Sequence, residues 1–443
     1  MKRRNYPIHP VLRVIYACLR ILAKTGVWGY YRRRLLINPE LLKFDGPTIV
    51  ICNHPSTLTD VLVTAPWIKQ EMFFLANYSL FKNPLSNYLL SHLFCIPIKR
   101  KEDVAPDNPR DNQPAFEKSV QHLINNGTLF IAPEGYSWMN RFVRPFKTGT
   151  ARIAFLAELK TPLNNKLKIV PIGLSYTQPN HFRSEVVVHA GDPILVSEFL
   201  PQYRTNPQKA IDNLTNHLEK TLKQLCIHAG NESGEKTLLC LEHILKYHKP
   251  LTQNAAYYRS KWLCEHHISQ PSVQSSATQY TQLKNTIKIT ELGLHECFHP
   301  KATYNAVKDV LLLLIGLPLA ALAVVIWFLP LWIPASLTKI LNLYVGYASN
   351  VKILTGLFTG TTTLVVLAYS VNRFAGCLPA ILSAPAAILL ALLLEQYTDV
   401  TQRVIQRFQA ASKAKKFPKQ IAQLRQYQKN ILNLLPEYNL ATT

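Results

Sequence analysis

Near the N-terminus, apolar and basic positions repeat with the period of a helix. At about 100° per residue, Arg13, Arg20 and Lys24 fall on one face, while Leu12, Ile15, Leu19 and Leu22 line another. The three cations interrupt an apolar run that a secretory signal sequence would keep whole. The pattern predicts an amphipathic helix with a basic edge, running on to Arg32-Arg33-Arg34 and suited to a membrane surface. Residues 1–45 are read as an anchoring segment, against the plainer alternative of a helix packed on its own domain.

The pattern then changes period. Short apolar, β-branched runs recur at Thr48–Cys52, Met72–Leu75, Cys95–Ile98, Thr128–Ala132, Lys168–Leu174 and Glu185–Ala190. Helical stretches lie between them, including Ala115–Asn125 and Thr150–Leu159. Strands alternating with helices predict an α/β domain, a layered sheet covered by helices, over residues 46–225. Residues 226–305 form a polar, His-rich linker with helical pieces.

Further on the chain becomes suited to a different solvent. Val310 to Thr338 carries no charge, and neither do Ile353–Asn372 and Phe374–Leu394, which only Arg373 separates. A helix needs about 20 apolar residues to cross the hydrocarbon core. The first run is a membrane span, with Trp327 and Trp332 suited to an interface. The second pair is two spans, a hairpin or a re-entrant element. Residues 306–395 are thus a transmembrane helical region, and 396–443 are a basic helical tail with Arg403, Arg407, Lys413, Lys415, Lys416, Lys419 and Arg425. Positive residues favour the cytoplasmic face, which places the front domain and the tail there, with an even number of crossings.

Charge narrows the partners. The formal net charge is +23, from 49 Lys+Arg against 26 Asp+Glu, so the partners are anionic: nucleic acid, a lipid surface, or phosphorylated and CoA-type substrates. No nucleic-acid recognition motif accompanies the charge, and anionic lipid and CoA phosphates explain it better. The eight cysteines are scattered without a CxxC pair, which speaks against a disulfide framework and for a reducing compartment.

Chemistry concentrates at strand ends. The first run, TIVIC, stops at Asn53-His54-Pro55, and Asp60 follows in what should be the first helical turns, with Ser56 or Thr57 placed to cap. A carboxylate bonded to imidazole Nδ1–H fixes the tautomer and leaves Nε2 as a general base. By itself that spacing also fits an ordinary turn. Three other stretches add to it: Ile96-Pro97-Ile98-Lys99-Arg100-Lys101, Ala132-Pro133-Glu134-Gly135-Tyr136-Ser137, and Arg144-Pro145-Phe146-Lys147-Thr148-Gly149. Polar strand ends converge on one edge of an open α/β sheet, where such folds hold ligands. A base, a carboxylate, cations and a glycine turn suit a hydroxyl nucleophile on a phosphorylated molecule.

In order and spacing these blocks, with Phe81-Lys82-Asn83-Pro84 and Val170-Pro171-Ile172-Gly173, resemble the glycerolipid acyltransferase superfamily, the glycerol-3-phosphate and lysophosphatidate acyltransferases. The resemblance covers residues 46–225. It implies acyl transfer from acyl-CoA or acyl-carrier protein to a hydroxyl of glycerol-3-phosphate or a lysophospholipid, with no cofactor and no metal. It makes His54 the base and Asp60 its orienting group. Arg100 would hold the acceptor phosphate, Glu134, Gly135 and Ser137 the glycerol phosphate with Lys147 adding charge, and Pro171 and Ile172 would shape the acyl side. One departure stands out: the family's usual spacing puts four residues between histidine and aspartate, and here there are five, a form similar to the branch that includes eukaryotic glycerol-3-phosphate acyltransferases.

Rival motifs are weaker. His295-Glu296-Cys297-Phe298-His299 matches HExxH, but Pro300 follows at once and no third ligand is signalled. Gly135-Tyr136-Ser137-Trp138-Met139 falls short of a GxSxG elbow. A lipid-binding scaffold that kept the fold without turnover is the non-enzymatic alternative.

Overall fold

The computed structural model describes residues 9–103, 111–160, 166–248, 251–290, 293–295, 302–342 and 344–435; Glu296–His299 of the HExxH match lie outside them. The chain forms two units, Met1–His228 with Tyr344–Asn350, and Ala229–Leu343 with Val351–Thr443.

The first unit opens with helix α1 (Pro10–Tyr30). Its inner face buries Tyr16, Ala23, Val27 and Tyr30, and Arg20 reaches the backbone carbonyl of Ile68. A second apolar face, with Val11, Val14, Ile21, Leu22 and Trp28, stays exposed. The helix is therefore packed on its domain and apolar outward as well.

Strand β1 (Arg33–Ile37) follows, inside the segment expected to be wholly an anchor. Next come β2 (Thr48–Cys52), α2 (Leu58–Thr64), β3 (Met72–Asn77), α3 (Pro84–His92), β4 (Cys95–Ile98), α4 (Gln113–Ile124), β5 (Thr128–Ile131), α5 (Gly149–Lys160), β6 (Lys168–Tyr176), β7 (Glu185–Ala190), β8 (Ile194–Leu195), α6 (Leu200–Thr205) and α7 (Pro207–Leu225). One sheet takes the order β1-β7-β6-β2-β5-β3-β4, with β8 also on β6. The strands β2 to β6 are mutually parallel, and β7 and β8 run antiparallel to β6. This is the layered α/β fold that the alternation predicts.

Both sheet faces are covered, which is why the central strands read as unbroken apolar runs. Ile49, Ile51, Leu129, Ile131 and Ile169 pack with Ala151, Phe155, Leu214 and Leu218 from α5 and α7 on one side. Val50, Cys52, Val170 and Ile172 on the other face are equally buried. Central β2 is wholly buried along its length, so its C-terminal end, where His54 follows, is held by the best-packed part of the unit.

In the second unit α8 (Glu232–His248), α9 (Gln253–His266) and α10 (Pro271–Thr286) occupy the expected linker. Long helices α11 (Ala302–Ile340), α12 (Ala348–Ala375) and α13 (Cys377–Lys416) follow, then α14 (Pro418–Asn433). Three of these, over Val307–Ile340, Val345–Ala375 and Cys377–Lys416, are long and apolar enough to cross a bilayer. Gly376, at φ +86°, separates α12 from α13; a residue with a Cβ would resist that turn. Asp309 of α11 pairs with Arg403 and Arg407 of α13, and the Trp327 indole N–H donates to the Ala387 carbonyl at 2.9 Å. The described cysteines are all free.

Candidate active site

His54 leaves the end of β2 with its backbone fixed on two sides. Its N–H donates to Glu134 Oε1 at 2.9 Å, and its carbonyl accepts from the Trp138 N–H at 3.1 Å. Beside it, Asn53 clamps the neighbouring strand: its amide donates to the Leu174 carbonyl at 2.9 Å and accepts the Leu174 N–H at 2.7 Å. The backbone that carries the imidazole cannot shift without breaking hydrogen bonds to two other segments.

Asp60 sits in the first turn of α2 with no solvent exposure. Its Oδ2 lies 2.9 Å from His54 Nδ1 and also accepts the Ser56 N–H at 2.9 Å. Its Oδ1 accepts the Tyr176 hydroxyl at 2.8 Å. Three donors converge on one buried carboxyl, the arrangement that makes burying it tolerable. The His54 side chain keeps 18% of its surface exposed while Asp60 has none, so the buried partner faces Nδ1 and leaves Nε2 as the ring's other functional nitrogen. Tyr176 had no role in the sequence reading; its signal is a hydroxyl at the end of an otherwise apolar strand. Burial, with the Asp60 carboxyl adding to it, pushes its phenol well above the usual range, so it remains a donor.

The capping expectation fails. Thr57 stands at the N-terminus of α2 and makes no side-chain cap. Its backbone takes φ +48°, its N–H donates to Ser137 Oγ at 3.0 Å, and its hydroxyl donates instead to the Gly346 carbonyl. The Ser56 hydroxyl is engaged with Ser349.

The turn after β5 carries the next group. Glu134 is 5% exposed, and its two oxygens accept backbone N–H groups of His54 and of Arg144, the latter at 2.8 Å. Burial holds its carboxyl above the usual range, partly offset by those two hydrogen bonds. Gly135 adopts φ +78°, and a Cβ there would stand 3.5 Å from Lys147 Cγ. The exposed Lys147 ties this turn by donating its backbone N–H to the Pro133 carbonyl at 2.8 Å. Ser137 Oγ is the acceptor for Thr57, as above. Arg100, just after β4, stacks its guanidinium over the Tyr136 ring at 4.7 Å. Among the described residues that guanidinium makes no ion pair, while Tyr136 donates to Glu102 at 2.8 Å. Pro171 and Ile172 are buried in β6, in register with Ile51 and Cys52. Among the described residues no His, Cys, Asp and Glu cluster is arranged to hold a metal.

The structure therefore links His54, Asp60, Glu134 and, through Thr57, Ser137 by hydrogen bonds, with Gly135 in the same turn as Glu134 and Arg100 over the ring of Tyr136. What the assembly offers chemically is an imidazole oriented by a buried carboxyl.

Comparison with known proteins adds the family. The Acyltransferase family model matches residues 33–175, starting at β1. Glycerol-3-phosphate O-acyltransferase 2 of Saccharomyces cerevisiae (strain ATCC 204508 / S288c) is 30% identical over 142 residues, 32% of this chain and 19% of that protein. Glycerol-3-phosphate O-acyltransferase 1 of the same yeast is 32% identical over 137 residues, 30% of this chain and 18% of that protein. This chain thus matches less than a fifth of the length of either yeast relative. Among solved structures, the 1-acyl-sn-glycerophosphate (LPA) acyltransferase PlsC from Thermotoga maritima is similar with a TM-score of 0.36 and 17% identity, covering 51% of this chain and 83% of that one. Residues 33–175, with the ordered motif blocks they contain, thus match the Acyltransferase family model and are similar to the two yeast glycerol-3-phosphate O-acyltransferases.

Proposed function

We infer that this protein transfers a fatty acyl group from the thioester of acyl-CoA or acyl-carrier protein to a hydroxyl of glycerol-3-phosphate or lysophosphatidate at a membrane. The observation that carries the reading is the His54–Asp60 pair: a 2.9 Å contact to a carboxyl that is fully buried and braced by two further donors. The yeast relatives' names supply the acceptor class, and the family supplies the acyl transfer.

In this reading Asp60 accepts Nδ1–H, and Nε2 takes the proton from the acceptor hydroxyl as its oxygen attacks the thioester carbonyl. The tetrahedral intermediate collapses with cleavage of the C–S bond. The proton on Nε2 passes to the departing thiolate, so ester and free thiol are the products and His54 returns to its starting form. General-base assistance of this kind contributes about 10²–10⁴-fold; positioning of two bound substrates supplies much of the rest. Glu134 acts by fixing the backbone that presents His54, and Arg100 takes the acceptor phosphate, for which a planar cation offers bidentate contact. Gly135, Ser137 and Lys147 form the turn beside the glycerol phosphate, and Pro171 and Ile172 border the acyl side. Three long apolar helices support a membrane location, and the basic tail supports a catalytic domain on the cytoplasmic face.

Membranes bearing the full chain, given labelled acyl donor and a panel of glycerol-3-phosphate, lysophosphatidate and other lysolipids, test this. Ester formation on one acceptor should be lost in His54→Ala and fall by about 10²-fold or more in Asp60→Asn. Equal product from wild type and His54→Ala, or none from wild type on any acceptor, would overturn the reading.

A further inference from the structure

Between His54 and Asp60 every hydroxyl is engaged by one distant stretch of chain. Ser56 and Thr59 have no exposure and Thr57 has 8%; facing them, Ser349 and Asn350 are buried to 0% and 4%. Ser56 Oγ lies 3.0 Å from Ser349 Oγ, which lies 2.7 Å from Thr59 Oγ1, and Thr59 donates to Asn350 Oδ1. The other end of that amide donates to Thr57 Oγ1 at 2.6 Å, and Thr57 donates to the Gly346 carbonyl at 2.9 Å. One assignment of protons satisfies the whole series. Ser56 donates to Ser349, Ser349 to Thr59, Thr59 to Asn350, Asn350 to Thr57, and Thr57 to Gly346. Because the Gly346 carbonyl only accepts, Thr57 must give it the proton, and this fixes which way the Asn350 amide points. Tyr344 closes the segment on the other motif, donating its hydroxyl to the Ser137 carbonyl at 3.1 Å.

The purpose of such a series lies in the backbone it grips. Thr57 holds φ +48° and ψ −126°, a left-handed conformation that a β-branched residue adopts only where its surroundings impose it. Five residues separate His54 from Asp60, and the chain must take up the additional one while still landing the carboxyl on Nδ1. The left-handed turn at Thr57, immediately before α2, is where it changes direction to do so. Ser137 holds the Thr57 N–H from one side, and the 344–350 segment holds its hydroxyl from the other.

We propose that residues 344–350, the turn before α12 and that helix's first three residues, are a positioning element of the active site, with Asn350 and Ser349 holding Thr57 so that Asp60 orients His54. The proposal rests on the acyltransferase reading for its kinetic consequence. Asn350 touches no substrate in this account; it acts through Thr57 and Asp60.

Asn350→Ala in the full chain tests it. The expected result is a fall in kcat of about 10- to 100-fold, the scale of a catalytic group displaced by an ångström, with the KM of both substrates within about twofold of wild type. Thr57→Gly in the same background is the decisive partner, because glycine takes this backbone without strain. The double variant should regain at least about fivefold of the lost kcat. Independently of turnover, hydrogen–deuterium exchange should quicken in peptides spanning residues 53–63 of Asn350→Ala and not in β5 or β6, with Thr57→Gly restoring protection. Loss of kcat without rescue, or uniform quickening of exchange across the sheet, would make the segment a mere fold support and overturn the proposal. An unchanged exchange pattern in residues 53–63 would overturn it as well. If the wild-type protein transfers no acyl group, the functional reading falls, and the exchange result still decides whether 344–350 holds the His54–Asp60 turn.

Discussion

At the scale of the residue, Arg100 separates binding from structure. Its guanidinium sits over the ring of Tyr136, 4.7 Å from the ring centre, one residue beyond Gly135 and two beyond Glu134. A cation stacked on an aromatic face retains its edge donors for an anion. Arg100→Ala should therefore raise the KM for a phosphorylated acceptor by about tenfold or more, the scale of a lost charge-assisted hydrogen bond, and leave the KM for the acyl donor within about twofold. Arg100→Lys should recover only part, since an ammonium presents a point charge and cannot stack as a plane. Steady-state kinetics with each substrate varied in turn would show it; equal rises for both substrates would remove Arg100 from the acceptor site. The contact of His54 with Asp60 was legible in the chain because the spacing between them is short. Tyr176 reaches Asp60 from 116 residues away and Gly346 reaches Thr57 from 289 away. No spacing rule connects such pairs, and only the folded chain brings them together.

At the scale of the element, periodicity served well wherever one solvent surrounded a whole segment. β4 and β7 begin and end where the apolar runs do, and β2 stops at the residue before Asn53. β1 was hidden by Arg32-Arg33-Arg34. It is an edge strand, and charge on an edge is how sheets discourage further pairing; Arg33 there pairs across to Glu185 of β7 at 3.4 Å. Another element-level device is the fastening of the loop after β5 to the end of α7. Glu219 accepts the Phe146 N–H at 3.0 Å, and His228 Nδ1 accepts the Val143 N–H at 3.0 Å. Burial, reinforced by Lys223 and opposed by Glu219, pushes the His228 imidazole down to about 4. The folded protein thus keeps this ring neutral where the unfolded chain protonates it near the ordinary 6.5. Its contribution to stability is complete above about pH 6.5 and is lost as pH falls from there towards about 4. His228→Gln keeps an acceptor for Val143 and removes the titration. Its thermal midpoint should drop less than that of wild type between pH 7 and pH 4.5, and parallel curves would show that His228 is not linked to folding.

At the scale of the molecule, the hydrogen bonds of residues 344–350 constrain how the chain meets a membrane. Among the described residues the candidates for crossing are α11, α12 and α13, so the catalytic domain and the chain up to α11 begin on one side. The segment that follows α11 belongs to the catalytic unit and must lie on that same side. The stretch Ala302–Ile340 is one continuous helix through Pro318, Pro330 and Pro334. An even count of crossings, with positive residues and the basic tail on the catalytic side, is the expectation that labelling tests. Single cysteines in place of the exposed Lys160, Val345 and Lys419, in a background without the native cysteines, should all react with an impermeant maleimide from the cytoplasmic side of sealed vesicles. Lys160→Cys and Val345→Cys labelling from opposite sides would mean that 344–350 leaves the active site in the bilayer and α11 crosses once. Lys160→Cys and Lys419→Cys labelling from opposite sides would make the count odd, and the tail could not share a face with the site.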